Sequence, residues 1–114
     1  EYLKYFNRAV RSKNWLLVLA EEGNEIAGYA LAAIEKRPPV YSLQKRCMLH
    51  DLFVETRFRG KGVSRQLFKM VLAFAKSKKI KMLQVTVDER NNGAINVYGK
   101  FGFEYYDKTM AMKL

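Results

Sequence analysis

Cysteine is almost absent from this chain, occurring once in 114 residues, at Cys47. A single thiol excludes an internal disulfide and a cysteine-based zinc site, and it fits a reducing compartment. Because Cys47 sits in an apolar, strand-like run, it reads as a packed thiol and not as a nucleophile. Histidine also occurs once, at His50, and no metal site is expected. The only prolines, Pro38 and Pro39, mark a loop that neither a helix nor a central strand tolerates. No apolar run approaches the roughly 18 residues that suggest a membrane span; the longest, 29–34 among them, are far shorter. No basic-then-apolar segment opens the chain, so an intracellular, cytoplasmic protein without membrane contact is expected.

One further absence is local. Between Arg57 and Lys81 there is no acidic residue, yet nine Lys and Arg fall there. Residues 1–56 carry 8 basic against 7 acidic groups, and residues 82–114 carry 4 against 4, so the net +10 resides almost wholly in that stretch. Such a field recruits a polyanion, either nucleic acid or a multiply phosphorylated cofactor. A solvated helix face accounts for Lys76, Lys78 and Lys79. It accounts less well for Arg57, Arg59 and Lys61, which lie in a turn.

What is present describes one globular domain spanning 1–114, with about half its residues (49%) apolar and 28% charged. Apolar spacing at Tyr2, Tyr5, Phe6, Ala9 and Val10 predicts an amphipathic helix ending near Lys13. Strands are expected over 15–20 and 26–34, joined by a hairpin turn at Glu22-Gly23-Asn24, and again over 47–54. A long helix follows over 63–78, with Val63, Leu67, Met70, Val71 and Phe74 as its apolar stripe. A short strand over 82–87 precedes a second helix, opened by Asn91-Asn92-Gly93 and stopped by Gly102. Two closing strands are expected over 103–106 and 109–114. The order α-β-β-β-α-β-α-β-β is a mixed α/β layer on one central sheet flanked by helices.

The segment Arg57-Phe58-Arg59-Gly60-Lys61-Gly62-Val63-Ser64 joins a strand to a helix. Two glycines one residue apart permit a tight turn and close approach of another group. The following helix offers unpaired N–H groups and the positive end of its dipole, a combination that binds phosphate. It is not a P-loop, since no Gly-Lys-Ser or Gly-Lys-Thr follows a glycine at the required spacing. Nor is it a dinucleotide fingerprint, because Arg65 stands where the third glycine belongs.

With this element order, two motifs make the chain resemble the GNAT superfamily of acetyl-CoA-dependent N-acetyltransferases. The family's [RQ]-x-x-G-x-[GA] turn matches Arg57 to Gly62 at every fixed position. Its N-x-x-A-x-x-x-Y-x-K-x-G-F pattern matches Asn91, Ala94, Tyr98, Lys100, Gly102 and Phe103. The resemblance implies a GNAT-like fold and transfer of acetyl from acetyl-CoA to a small-molecule or peptide amine by direct attack. It implies that backbone N–H groups of Arg59, Gly60, Lys61, Gly62, Val63 and Ser64 cradle the pyrophosphate. It also implies that the pantetheine arm pairs with the backbone of Leu52, Phe53 and Val54. Asn91 would reach that arm, and Lys100 would approach the ribose phosphate.

By the same resemblance, Tyr98 would protonate or stabilise the leaving thiolate; spacing alone favours a core aromatic with an OH that finds a partner, and the surrounding motif turns the reading to catalysis. The base that frees the amine is left open among His50, Asp51 and Glu55, with His50 where relatives frequently carry glutamate. His50 and Asp51 cannot face one cleft on a regular strand, although a bulge relaxes that rule. The family has a strand and helix ahead of residues 2–13, so the domain is expected to be N-terminally short: either that region is trimmed or lies outside this sequence, or another subunit completes the open edge, as in a homodimer. Two alternatives stand beside the enzyme: a catalytically silent acyl-CoA-binding module, and a basic nucleic-acid-binding domain. The latter is disfavoured because Phe68 and Phe74 belong to an apolar helix face and are not interleaved with exposed cations.

Overall fold

The computed structural model describes residues 6–114. Strands β1 (Phe6–Arg11), β2 (Trp15–Glu22), β3 (Glu25–Lys36) and β4 (Lys45–Val54) run antiparallel in sequence order. A 3₁₀ turn at Thr56–Phe58 leads into helix α1 (Val63–Ser77). Strand β5 (Leu83–Val85) then adds parallel to β4, and helix α2 (Asn92–Phe101) follows. The result is a five-stranded mixed sheet in the order β1-β2-β3-β4-β5. Among the described residues no helix is long and apolar enough to cross a membrane.

Alternation along the strands decides what each face does. Leu16, Val18 and Ala20 of β2, Ala30 and Ala32 of β3, and Cys47 and Leu49 of β4 are buried on one face. Helix α1 lays Val63, Leu67, Val71, Phe74 and Ala75 against them. Full burial of a side chain such as Val71 or Phe74 stabilises the fold by roughly 1.5–3 kcal/mol. The helix meets this need because its apolar residues recur on one stripe while Arg65, Lys69 and Lys76 stay outside.

Two expected elements are corrected. The helix expected over 2–13 is a strand where it is described, since Phe6–Arg11 forms β1; Tyr2 and Tyr5 lie outside the described residues. Short apolar segments are ambiguous between the two periods. Here the edge of β2 offers a row of N–H and C=O groups, and pairing from Phe6↔Glu21 to Arg11↔Leu16 satisfies them. The closing strands at 103–106 and 109–114 do not form; these residues carry no regular structure. Strand propensity needs an edge to pair with, and β5 is only three residues long. Tyr106 nevertheless docks, its hydroxyl accepting a 2.8 Å bond from the buried Arg37 guanidinium.

Candidate active site

The glycine turn is built as an opening. Gly60 and Gly62 take φ of +76° and +84°, and a Cβ added at either would meet nothing within 4 Å. The first helical bond of α1 runs from the Gln66 N–H to the Gly62 carbonyl, so the N–H groups of Val63, Ser64 and Arg65 precede the helical ladder. Those of Gly60, Lys61 and Gly62 have no acceptor among the described residues. Arg59 differs: its backbone N–H donates to the Thr56 carbonyl at 3.2 Å, so it is already committed. The turn's cations are also partly engaged. Arg57 pairs with Glu25 from the β2–β3 hairpin. Arg59 Nε donates to the Val54 carbonyl at 2.9 Å. Lys61 stays exposed, with its Nζ 5.8 Å from the Phe58 ring centre.

Beside the turn the sheet splits. The β4–β5 ladder ends at Leu49↔Val85, while β4 continues to Val54 paired only with β3. Leu52, Phe53 and Val54 therefore have one flank without a neighbouring strand. At the same place β4 carries a bulge: Ala32 pairs with Leu49 and Leu31 with Asp51, leaving His50 as the extra residue. Its effect shows in the burial pattern. Leu49 is buried, Leu52 and Val54 return to the core side, and His50 and Asp51 are both exposed between them. The bulge thus places His50 and Asp51 together on the face away from α1.

The three candidate bases differ in surroundings. His50 Nε2 lies 2.6 Å from Glu35 Oε2 of β3. Asp51 Oδ2 accepts the Tyr29 hydroxyl at 2.7 Å, and that bond, with burial and the Asp51 charge, pushes the Tyr29 phenol up. Glu55 lies past the end of β4, capping the 3₁₀ turn, and its N–H is tied to the Ala27 carbonyl at 2.8 Å. Glu35 and Tyr29 were not singled out from the sequence. Only the strand register reveals them, because Glu35 sits opposite Arg46 and is otherwise one more strand charge.

Helix α2 supplies the remaining groups. Asn91 Oδ1 accepts from the Ala94 N–H at 3.0 Å, so it caps the helix and keeps only its Nδ2 donors for another partner. Lys100 is exposed in the last turn. Tyr98 is half-buried, packing edge-on to Phe103 at 5.6 Å, while Phe68 of α1 stacks on Phe101 at 4.5 Å and anchors the helix. The Tyr98 hydroxyl has no hydrogen-bond partner among the described residues, unlike an ordinary core tyrosine. Burial first, and then the charge of Asp51, push its phenol above the usual 10.0. At neutral pH it is a protonated phenol that no described residue engages.

Among the described residues no group of three His, Cys, Asp or Glu side chains could hold a metal ion. Burial, with the Glu35 charge second, pushes the Cys47 thiol up to about 11, leaving an inert side chain.

Comparison with known proteins converges on one family. Residues 1–103 match the model of the acetyltransferase (GNAT) family. N-acetyltransferase 8F1 of Rattus norvegicus is 31% identical over 86 residues, which are 75% of this chain and 38% of that protein. The uncharacterized N-acetyltransferase MJ1207 of Methanocaldococcus jannaschii is 31% identical over 67 residues, 57% of this chain and 30% of that one. The chain thus spans about a third of the length of these relatives. The aminoglycoside N-acetyltransferase AAC(6')-Iy, solved in complex with CoA, superposes with a TM-score of 0.80 at 20% identity. The match covers 90% of this chain and 78% of that one, and at this identity it shows the fold alone.

Proposed function

The chain belongs to the acetyltransferase (GNAT) family, and from that membership we propose that it transfers the acetyl group of acetyl-CoA to a primary amine by direct attack. The observation that carries the reading is the run of unclaimed N–H groups from Gly60 to Arg65, set at the end of the unpaired flank of β4. A pyrophosphate needs several donors and room for close approach, and this turn offers unclaimed N–H groups beside two glycines with open space around them. The open flank at Leu52, Phe53 and Val54 suits an extended pantetheine arm pairing as an added strand. Lys61 and Lys100 are exposed cations available to the phosphates, and the Asn91 Nδ2 is available to the arm.

Acetyl-CoA would supply an activated thioester. The chain's own groups then handle two protons. An ammonium has no lone pair, so a base must take a proton from the amine. His50 is assigned that role, with Asp51 beside it already accepting from Tyr29 and Glu55 displaced to the turn. Tyr98 donates to the departing sulfur, a role suited to a phenol held protonated and without a partner.

The test is turnover. Incubation with acetyl-CoA and a panel of small amines and peptide amines, followed by free-thiol detection, is expected to show amine-dependent release of CoA. Acetyl-CoA binding by calorimetry without turnover on any amine identifies instead a silent acyl-CoA-binding module.

A further inference from the structure

On the sheet face away from α1, a line of polar side chains crosses three strands. Glu35 of β3 uses both carboxylate oxygens: Oε2 lies 2.6 Å from His50 Nε2, and Oε1 lies 3.3 Å from Arg46 Nη2. Arg46 of β4 reaches on to β5, where Nη1 donates to Gln84 Oε1 at 3.0 Å. The carboxylate is therefore held from two sides, and it meets the bulge residue from the neighbouring strand.

Chemistry fixes the roles within this contact. An ionised carboxylate only accepts, so the imidazole nitrogen facing it must carry the hydrogen. Neutral His50 is then the Nε2–H tautomer, and its free lone pair is on Nδ1. When Nδ1 takes a proton, the positive charge formed on the ring lies against a carboxylate already in place, with no reorganisation needed. We propose that Glu35 is a positioning residue for His50, setting its tautomer and stabilising its protonated form so that Nδ1 serves as the proton acceptor in amine acetylation. This rests on the acetyltransferase reading above.

The protons and bonds balance. An ammonium acceptor first yields one proton to Nδ1, which passes it to solvent; as the neutral amine nitrogen then bonds to the acetyl carbon and the carbon–sulfur bond breaks, its second proton goes to Nδ1 and the Tyr98 proton to sulfur. Imidazolium and phenolate are then reset by proton exchange through solvent. Glu35 remains a carboxylate throughout. The charged and titratable groups near His50 are Glu35 and Tyr29 from β3, and Arg46 and Asp51 from β4. From α2, Tyr98 lies within reach of the Asp51 charge. Arg46 opposes Glu35, so the two form a sign-paired control.

The experiment compares parent, Glu35→Gln and Arg46→Gln, each checked for folding by its melting curve. The Gln at 35 keeps an acceptor for Nε2–H and removes the charge. Its turnover is expected to fall about tenfold, and the acid limb of its pH–rate profile to move to lower pH, because imidazolium has lost its partner. Arg46→Gln is expected to move that limb the other way. Because His50 is the only histidine, its ring nitrogens can also be followed unambiguously by NMR, independent of activity. The parent should show the Nε2–H tautomer, retained in Glu35→Gln and lost in Glu35→Ala. A mixed tautomer in the parent, or a pH–rate profile unmoved in both charge variants, overturns the proposal. Absence of turnover in a parent that still shows the Nε2–H tautomer overturns the acetyltransferase reading itself, and the catalytic use of the pair with it.

Discussion

At the scale of single residues, Tyr98 separates catalysis from packing. Its ring is fixed by Phe103, while its hydroxyl has no partner among the described residues. Tyr98→Phe therefore removes one oxygen that no described residue bonds. Acetyl-CoA affinity and melting temperature are expected to stay close to the parent values, while turnover falls by roughly 10² or more. Steady-state rates and a melting curve on this variant decide the matter; turnover within about threefold of the parent, under 1 kcal/mol in barrier height, removes Tyr98 from the chemistry. The sign of its titration adds a check. The donor form persists below the raised phenol value and is lost as pH climbs through it, so any alkaline limb due to Tyr98 lies above 10.0 and is missing in the Phe variant. Cys47 gives the opposite case, a reactive atom made silent. With its thiol pushed up to about 11, it should react with a disulfide reagent at pH 8 only as fast as the protein opens. A rate well above that of unfolding, followed by absorbance alongside circular dichroism, contradicts the burial described.

At the scale of elements, the glycine turn ties backbone geometry to the anion binding proposed for it. A side chain at Gly62 meets no atom of the protein, but a φ of +84° costs an L-residue about 1–2 kcal/mol. Gly62→Val is thus expected to fold with reduced stability and to bind acetyl-CoA at least tenfold more weakly, since the branch occupies the space a pyrophosphate needs. Calorimetry showing parent-like affinity in a folded variant moves the cofactor away from this turn. This element was legible beforehand, because Gly60, Gly62 and Asn91 act through local conformation that their neighbours in sequence determine. The Glu35–His50 contact was not, since it depends on which β4 residues lie near Glu35. The helix expected over 2–13 failed for the same reason: the period of Phe6, Ala9 and Val10 says nothing of the open strand edge that claims their backbone. Strands 103–106 and 109–114 carried the right propensity without an edge long enough to use it.

At the scale of the whole molecule, charge and sheet topology act together. The surplus of +10 gathers along α1 and the turn that opens it, with Lys61, Arg65, Lys69 and Lys76 exposed. Acetyl-CoA affinity is accordingly expected to fall several-fold between 50 and 500 mM salt by calorimetry, roughly the range over which the screening length drops from above 10 Å to a few ångströms. An affinity indifferent to salt assigns recognition to the backbone donors alone. The composition pointed to this field but not to its internal pairings, since Arg57 is matched by Glu25 from a distant hairpin. The bulge has the longest reach of all. Remove His50 from the chain, and Leu49 and Asp51 become consecutive, opposite the consecutive Ala32 and Leu31. The strand would alternate perfectly, with Leu52 and Val54 still turned inward. So far as the core is concerned, His50 is a spare letter that can be struck out without changing the word. Yet it stands where β5 parts from β4, and striking it out should let the two strands zip onward and seal the gap. A deletion variant that melts no lower than its parent and no longer holds acetyl-CoA would show that the fold keeps one supernumerary residue to hold a door ajar.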